Sequence, residues 1–172
     1  MSGKMNSLSR WQRSRGGSNR LSLTKTGALY GYASLFGETD LGRDVVVKGA
    51  FIRSLQQKLA RRIGMYFQHD TTRAIGRWTR IEEDAKGLFV VGQLDLAAPR
   101  ARRIYDLIRS GEVKGLSIGF LSRRNYKNPF NGLRRLLEID LWEISVVTRP
   151  MLPGARILAV KSILAANMSA AN

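Results

Sequence analysis

Leu136-Leu-Glu-Ile-Asp-Leu-Trp-Glu-Ile-Ser-Val-Val147 is the stretch that decides the fold class. Apolar and polar residues alternate along much of it, the period-two signature of a strand and not the 3.6-residue period of a helix. Alternation puts Leu137, Ile139, Leu141, Glu143, Ser145 and Val147 on one face, and Glu138, Asp140, Trp142, Ile144 and Val146 on the other. Glu143 is thereby set among apolar neighbours, where a carboxylate is costly unless paired. It either meets a cation, Arg149 or Lys114 being at hand, or orients a histidine. Asp140 is its substitute, because a bulge between the two would exchange their faces.

Working outward, a strand at about 114 to 122 precedes this one, joined to it by a polar loop with Asn125, Lys127, Asn128, Pro129, Asn131 and Gly132. Upstream, residues 28–36 read as a strand ending in Gly37, a loop with Asp40, Gly42, Arg43 and Asp44 leads to Val45-Val-Val47, and Phe51, Ile52, Leu55 and Leu59 read as a helix. Residues 63–68 form a strand that delivers His69 to a turn at Asp70-Thr-Thr72. Residues 75–81 and 87–96 make a hairpin around the acidic Glu82-Glu-Asp84. Pro99 opens a second helix, with Ala101, Ile104, Leu107 and Ile108 at helical spacing and Gly111 as its cap. Residues 155–161 are a last strand or a short helix. The expectation is one mostly β (α+β) domain over residues 28–161, between a basic tail at 1–27 and a loose tail at 162–172.

The 172 residues are 44% hydrophobic, enough for a core, and their 29 Lys+Arg against 13 Asp+Glu give a formal charge of +16. Such a charge invites anionic partners without naming one. The absence of cysteine excludes a disulfide scaffold, a thiol nucleophile and a Cys-based metal site, and one histidine makes a multi-His metal site untenable. No cofactor or metal is expected, and any imidazole chemistry rests on His69. No stretch approaches the roughly 18 to 20 apolar residues of a membrane span, and the amino terminus lacks the apolar core of a secretory signal, so a soluble, intracellular chain with no membrane partner is expected. Residues 1–27 carry Lys4, Arg10, Arg13, Arg15, Arg20 and Lys25 and no acid. That composition reads as a disordered tail, with an organelle transit peptide or a nucleic-acid arm as alternatives.

Gly115-Leu-Ser-Ile-Gly119 fits the G-x-S-x-G pattern. In a strand, Ser117 shares a face with Gly115 and Gly119, while Leu116, Ile118 and Phe120 take the other, which leaves room beside the hydroxyl for an approaching chain. A serine hydroxyl becomes a nucleophile when a base takes its proton, and the base needs a partner that fixes its tautomer. His69 is the available base, although a lone histidine is equally read as a packed residue. Its position before Ser117 opposes an α/β-hydrolase, whose histidine follows the nucleophile. Asp70, adjacent to His69, is a poor geometric choice for the third member, which leaves Glu143 and Asp140.

Assembled in order, these segments resemble the prohead (capsid maturation) serine proteases of tailed bacteriophages and related gene-transfer particles. The landmarks are Gly31-Tyr-Ala33 with Phe36, Lys48-Gly-Ala-Phe51, Gln68-His-Asp70 with Ile75-Gly76, Gly87-Leu88, Gly115-Leu-Ser-Ile-Gly-Phe120, Ile139-Asp-Leu-Trp-Glu-Ile-Ser-Val-Val147, and Pro150 with Ala155. The resemblance implies a closed, mostly antiparallel β-barrel flanked by helices, distantly similar to the herpesvirus assemblins. It makes Ser117 the nucleophile and His69 the general base. The assemblins carry a second histidine after the serine, which this chain lacks, so a carboxylate, Glu143 or in its place Asp140, takes that position. The oxyanion hole would be backbone N–H groups near Gly119 or the turn at Arg149. The implied role is an endopeptidase inside the assembling prohead, in the bacterial cytoplasm. It would cleave scaffold or the amino-terminal scaffolding segment of the major capsid protein and also itself, with a homo-oligomer as one implied state and the basic tail binding acidic scaffold.

Two rivals stand against this. A nucleic-acid-binding β-barrel draws on the charge and on Tyr66, Phe67 and Trp78 beside Arg73, Arg77 and Arg80, for which core packing is the alternative. A catalytically silent internal scaffold protein is opposed by the retention of Ser117 and His69.

Overall fold

The computed structural model describes residues 23–164. In chain order the elements are β1 (Leu23–Leu35), β2 (Asp44–Val46), α1 (Ile52–Gln57), a 3-10 turn (Ala60–Arg62), β3 (Gly64–Phe67), β4 (Gly76–Glu83), β5 (Gly87–Leu94), α2 (Pro99–Ser110), β6 (Gly115–Lys127), β7 (Arg134–Val147) and β8 (Ile157–Leu164). The ambiguous segment at 155–161 is thus a strand. β1 and β8 pair from Leu23↔Leu164 onward, so the sheet reaches into both segments expected as tails. Expectations for residues 1–22 and 165–172 lie outside the described residues.

The strands form two sheets, β4-β5-β1-β8 and β2-β7-β3, with β6 paired to β7. The sheets touch at short seams: Ile75 N–H donates to Met65 O (2.9 Å), Gly37 N–H to Val46 O (3.0 Å), and Leu116 N–H and Ile157 N–H to Ala155 O (3.0 Å) and Lys114 O (2.9 Å). None of these is a continuous ladder, so the mostly β architecture is present but the expected closed barrel is not found among the described residues. Nor is the sheet of β7 antiparallel throughout, since β2 and β3 both run parallel to it. Between the sheets lies one core that includes Trp78, Phe51, Leu116, Leu136, Ile139, Leu141, Ile144 and Val146. Burying a side chain of this kind contributes about 1.5 to 3 kcal/mol. Trp78 is 0% exposed and its indole N–H donates to Gly64 O (3.2 Å) and Ile144 O (3.3 Å), so it is a core residue and no stacking platform for bases.

Local chemistry explains the elements that differ from expectation. Glu83 belongs to β4 because its carboxylate accepts from Gly49 N–H (2.8 Å) and Phe51 N–H (2.7 Å) ahead of α1, leaving Asp84 to close the hairpin by accepting from Lys86 and Gly87 N–H. β6 and β7 stay paired up to a turn where Asn128 Oδ1 accepts from Phe130 N–H (2.9 Å), with β2 on the other side of Arg134–Leu136, so Asn125 and Lys127 are strand residues. α2 is as the spacing indicated: Gly111, at φ 81°, caps it with its N–H on Ile108 O.

The strict alternation of β7 fails at one point. Gly119 pairs with Glu143 but Phe120 with Leu141, which leaves Trp142 as the extra residue of a bulge. Ile139 and Leu141 face the core before it, Ile144 and Val146 after it, and Trp142 is 54% exposed. Glu143 and Ser145 therefore do not share a face with Ile139 and Leu141. α1 and the residue after it hold this bulge, because Ser54 Oγ accepts the Leu141 N–H (2.9 Å) and Lys58 Nζ donates to Leu141 O (3.0 Å).

Candidate active site

β7 lies between β6 and β3, and cross-strand partners present their side chains on one face. Ser117 on β6 is opposite Ser145 on β7, which is opposite Tyr66 on β3; two residues along, Gly119, Glu143 and Gly64 are opposite one another. Neighbouring Leu116, Ile118, Ile144, Val146 and Met65 turn to the core or pack against it. The sheet thus separates an apolar face from a face that carries Ser117, Glu143 and Ser145.

His69 joins this face from the end of β3. Gln68 and His69 are both in the left-handed region, at φ 54° and 60°, which non-glycine residues occupy at a cost of about 1 to 2 kcal/mol each. Several bonds hold the corner. Gln68 N–H donates to Val146 O (3.0 Å), its side-chain amide donates to Thr148 Oγ1 (2.8 Å), and Asp70 N–H returns to Phe67 O (3.1 Å). Asp70 accepts from Thr72 and from Arg100 of α2 (2.8 Å). Those bonds, that of the Thr72 hydroxyl first and then that of the Arg100 guanidinium, lower its carboxyl to about 2.

The result is a contact of 2.6 Å between His69 Nδ1 and Glu143 Oε1, while Ser145 Oγ donates to Glu143 Oε2. Glu143 is 6% and Ser145 0% exposed. An ionised carboxylate only accepts, so this contact selects the tautomer with the proton on Nδ1, in which a neutral imidazole has its Nε2 lone pair free. Ser117 is 5% exposed, and its hydroxyl enters no hydrogen bond among the described residues, that to His69 included. Arg149 and Lys114, the cations considered for Glu143, are not its partners. Asp140 is held elsewhere, by Lys58 and by Arg123 (2.7 Å), bonds that lower its carboxyl to about 2.

The glycines beside Ser117 have a different use from the one expected. A Cβ on Gly119 would stand 2.7 Å from Glu143 Cγ and 2.8 Å from its Cδ, and one on Gly115 would stand 2.7 Å from Pro150 Cδ. These glycines make room for the carboxylate and for the Pro150 turn, not for an incoming chain. No hydrogen bond among the described residues uses the Arg149 N–H, which leaves it available beside that turn. Sequence reasoning did not reach Ser145 as a partner of Glu143, although its spacing of two already put both on one face. Gln68 and Thr148, which meet only in the folded chain, left no such signal. Among the described residues no group of three or more His, Asp or Glu could hold a metal, and no helix is long and apolar enough to cross a membrane.

This fold is found in viral proteases. The bacteriophage T4 capsid assembly protease superposes with a TM-score of 0.57 at 12% identity, over 70% of this chain and 80% of that one. The KSHV protease in complex with a hexapeptide phosphonate inhibitor gives 0.52 at 12% identity, over 76% and 63%. The chain belongs to the caudovirus prohead serine protease family, whose model matches residues 17–169. It is 36% identical to the prohead protease of Enterobacteria phage HK97 over 141 residues, 81% of this chain and 62% of that protein. With the capsid polyprotein of Pseudomonas phage PAJU2 it shares 35% identity over 107 residues, 59% of this chain and 16% of that protein. The chain therefore spans less than two thirds of the length of these relatives.

Proposed function

We propose that the protein is a serine endopeptidase of prohead maturation, which cleaves scaffold or the amino-terminal scaffolding segment of the major capsid protein inside the assembling particle, and also cleaves itself. The observation that carries the reading is the His69–Glu143 contact on the sheet face that also holds Ser117. Membership of the prohead protease family supports the substrate class.

In this mechanism substrate docking brings the Ser117 hydroxyl and His69 Nε2 together. Nε2 takes the hydroxyl proton as Oγ attacks the scissile carbonyl, then returns it to the leaving amine, and water repeats the cycle on the acyl-enzyme. Glu143 fixes the tautomer and stabilises the imidazolium, with Ser145 holding its second oxygen. The Arg149 N–H is the proposed donor to the oxyanion. Asp140, committed to two cations, has no part in the chemistry.

Co-expression with the neighbouring major capsid protein tests this by intact mass. Loss of a defined amino-terminal segment with the wild type and not with Ser117→Ala is the expected result. A capsid protein left whole by both would overturn the reading.

A further inference from the structure

Beside Ser117 lies a cavity of about 290 Å³, between β6, the end of β1 and the segment after β7. Its walls include Val46, Phe120 and Leu136, and its rim carries Glu38 and Asp40. Ser117 also lines it. Among the described residues no fully buried side-chain polar atom lacks a partner, yet the Ser117 hydroxyl has none, so this oxygen is open to the space beside it.

The charge of the lining runs against that of the chain. Asp44 is paired with Arg134 by two bonds, of 2.7 Å and 2.5 Å. The Asp40 carboxylate accepts only the Asp44 N–H (2.8 Å), and Glu38 enters no hydrogen bond or ion pair among the described residues. Three carboxylates and one guanidinium leave two negative charges uncompensated, on a protein whose formal charge is +16. The rim is also fixed in place. Asp40 N–H donates to Asp44 O (2.9 Å), Arg43 N–H returns to Asp40 O (3.0 Å), and Leu41 N–H donates to Met151 O (2.9 Å).

We propose that this cavity receives a lysine or arginine side chain of the substrate next to the scissile bond, its methylenes against Val46, Phe120 and Leu136 and its charge between Glu38 and Asp40. An apolar wall under a negative rim suits a long side chain with a cationic tip and leaves an acidic one without a partner. This specificity rests on the proteolytic reading of Ser117.

The test uses the full chain and a peptide library made from a cell lysate with a glutamate-specific protease, the new termini being read by mass spectrometry. Ser117-dependent cuts with Lys or Arg on one side of the bond are expected. Glu38→Gln and Asp40→Asn should each lower kcat/KM for such peptides about fivefold, with norleucine analogues unchanged. Glu38 is exposed and without bonds, so Glu38→Arg will fold, and it should reduce basic cuts furthest. Ser117-dependent cuts without basic enrichment, or enrichment untouched by the Glu38 variants, would overturn the specificity and leave the protease standing. No Ser117-dependent cut at all would overturn both.

Discussion

His69 Nδ1 and Glu143 Oε1 meet at 2.6 Å, with the histidine side chain 46% exposed and that of the glutamate 9%. The carboxylate is fixed in the sheet and the imidazole stands at the surface, where the proposed mechanism needs a substrate to reach it. Glu143→Gln keeps the shape but replaces one accepting oxygen with a donor, which disturbs the tautomer that frees Nε2. The expected loss in kcat is about two to three orders of magnitude, with KM little changed. Asp140→Asn should leave kcat near wild type. Parallel kinetics on the two variants decide which carboxylate serves the histidine.

Gly119 is where one methyl group tests the geometry without removing a functional group. Its Cβ would press on the Glu143 carboxylate, and a strand cannot yield there without losing the β6–β7 register. Gly119→Ala should cost about 1 to 3 kcal/mol of stability through overpacking and reduce cleavage far more than that loss of fold explains. Thermal melts and initial rates on the same preparation separate the two effects.

Much of this was legible in the sequence because short-range patterns carried it. α2, with Pro99 at its start and Gly111 beyond its end, and the hairpin of β4 and β5 follow from spacing and turn residues alone. His69, Ser117 and Glu143 stand out as candidates because few residues of the right chemistry exist in the chain. A bulge between Asp140 and Glu143 stood only as an alternative in the sequence, because the groups of Leu141 that fix it at Trp142 are satisfied by Ser54 and Lys58, far away in sequence. The parallel pairings of β2 and β3 with β7 were not legible, because alternation reports which face is buried and not which neighbour is paired.

Asp70 and Asp140 both sit at about 2 in the folded chain, against 3.8 for the free group. A carboxyl held below its unfolded value favours folding above that value, and the gain disappears as pH falls from about 4 towards about 2. The melting temperature should therefore fall across that interval. Asp140→Asn should flatten part of the fall and lower the plateau above it, because Lys58 and Arg123 lose their partner. Melts from about pH 6 to about pH 2 check both signs.

Gln68 separates strain from positioning at the corner that carries His69. Its backbone holds φ 54° while its amide ties the corner to Thr148 at the end of β7. Gln68→Ala keeps the strained backbone and removes the tie, so stability should fall by about 1 kcal/mol and the histidine lose its fixed height over Glu143. Gln68→Gly removes the tie and the strain together, and the backbone relief of about 1 kcal/mol should bring stability back near wild type. Cleavage should stay low in both, because the imidazole is no longer held against the sheet. Equal activity of Gln68→Gly and wild type would mean that Asp70 and the β3–β7 ladder position His69 without the amide.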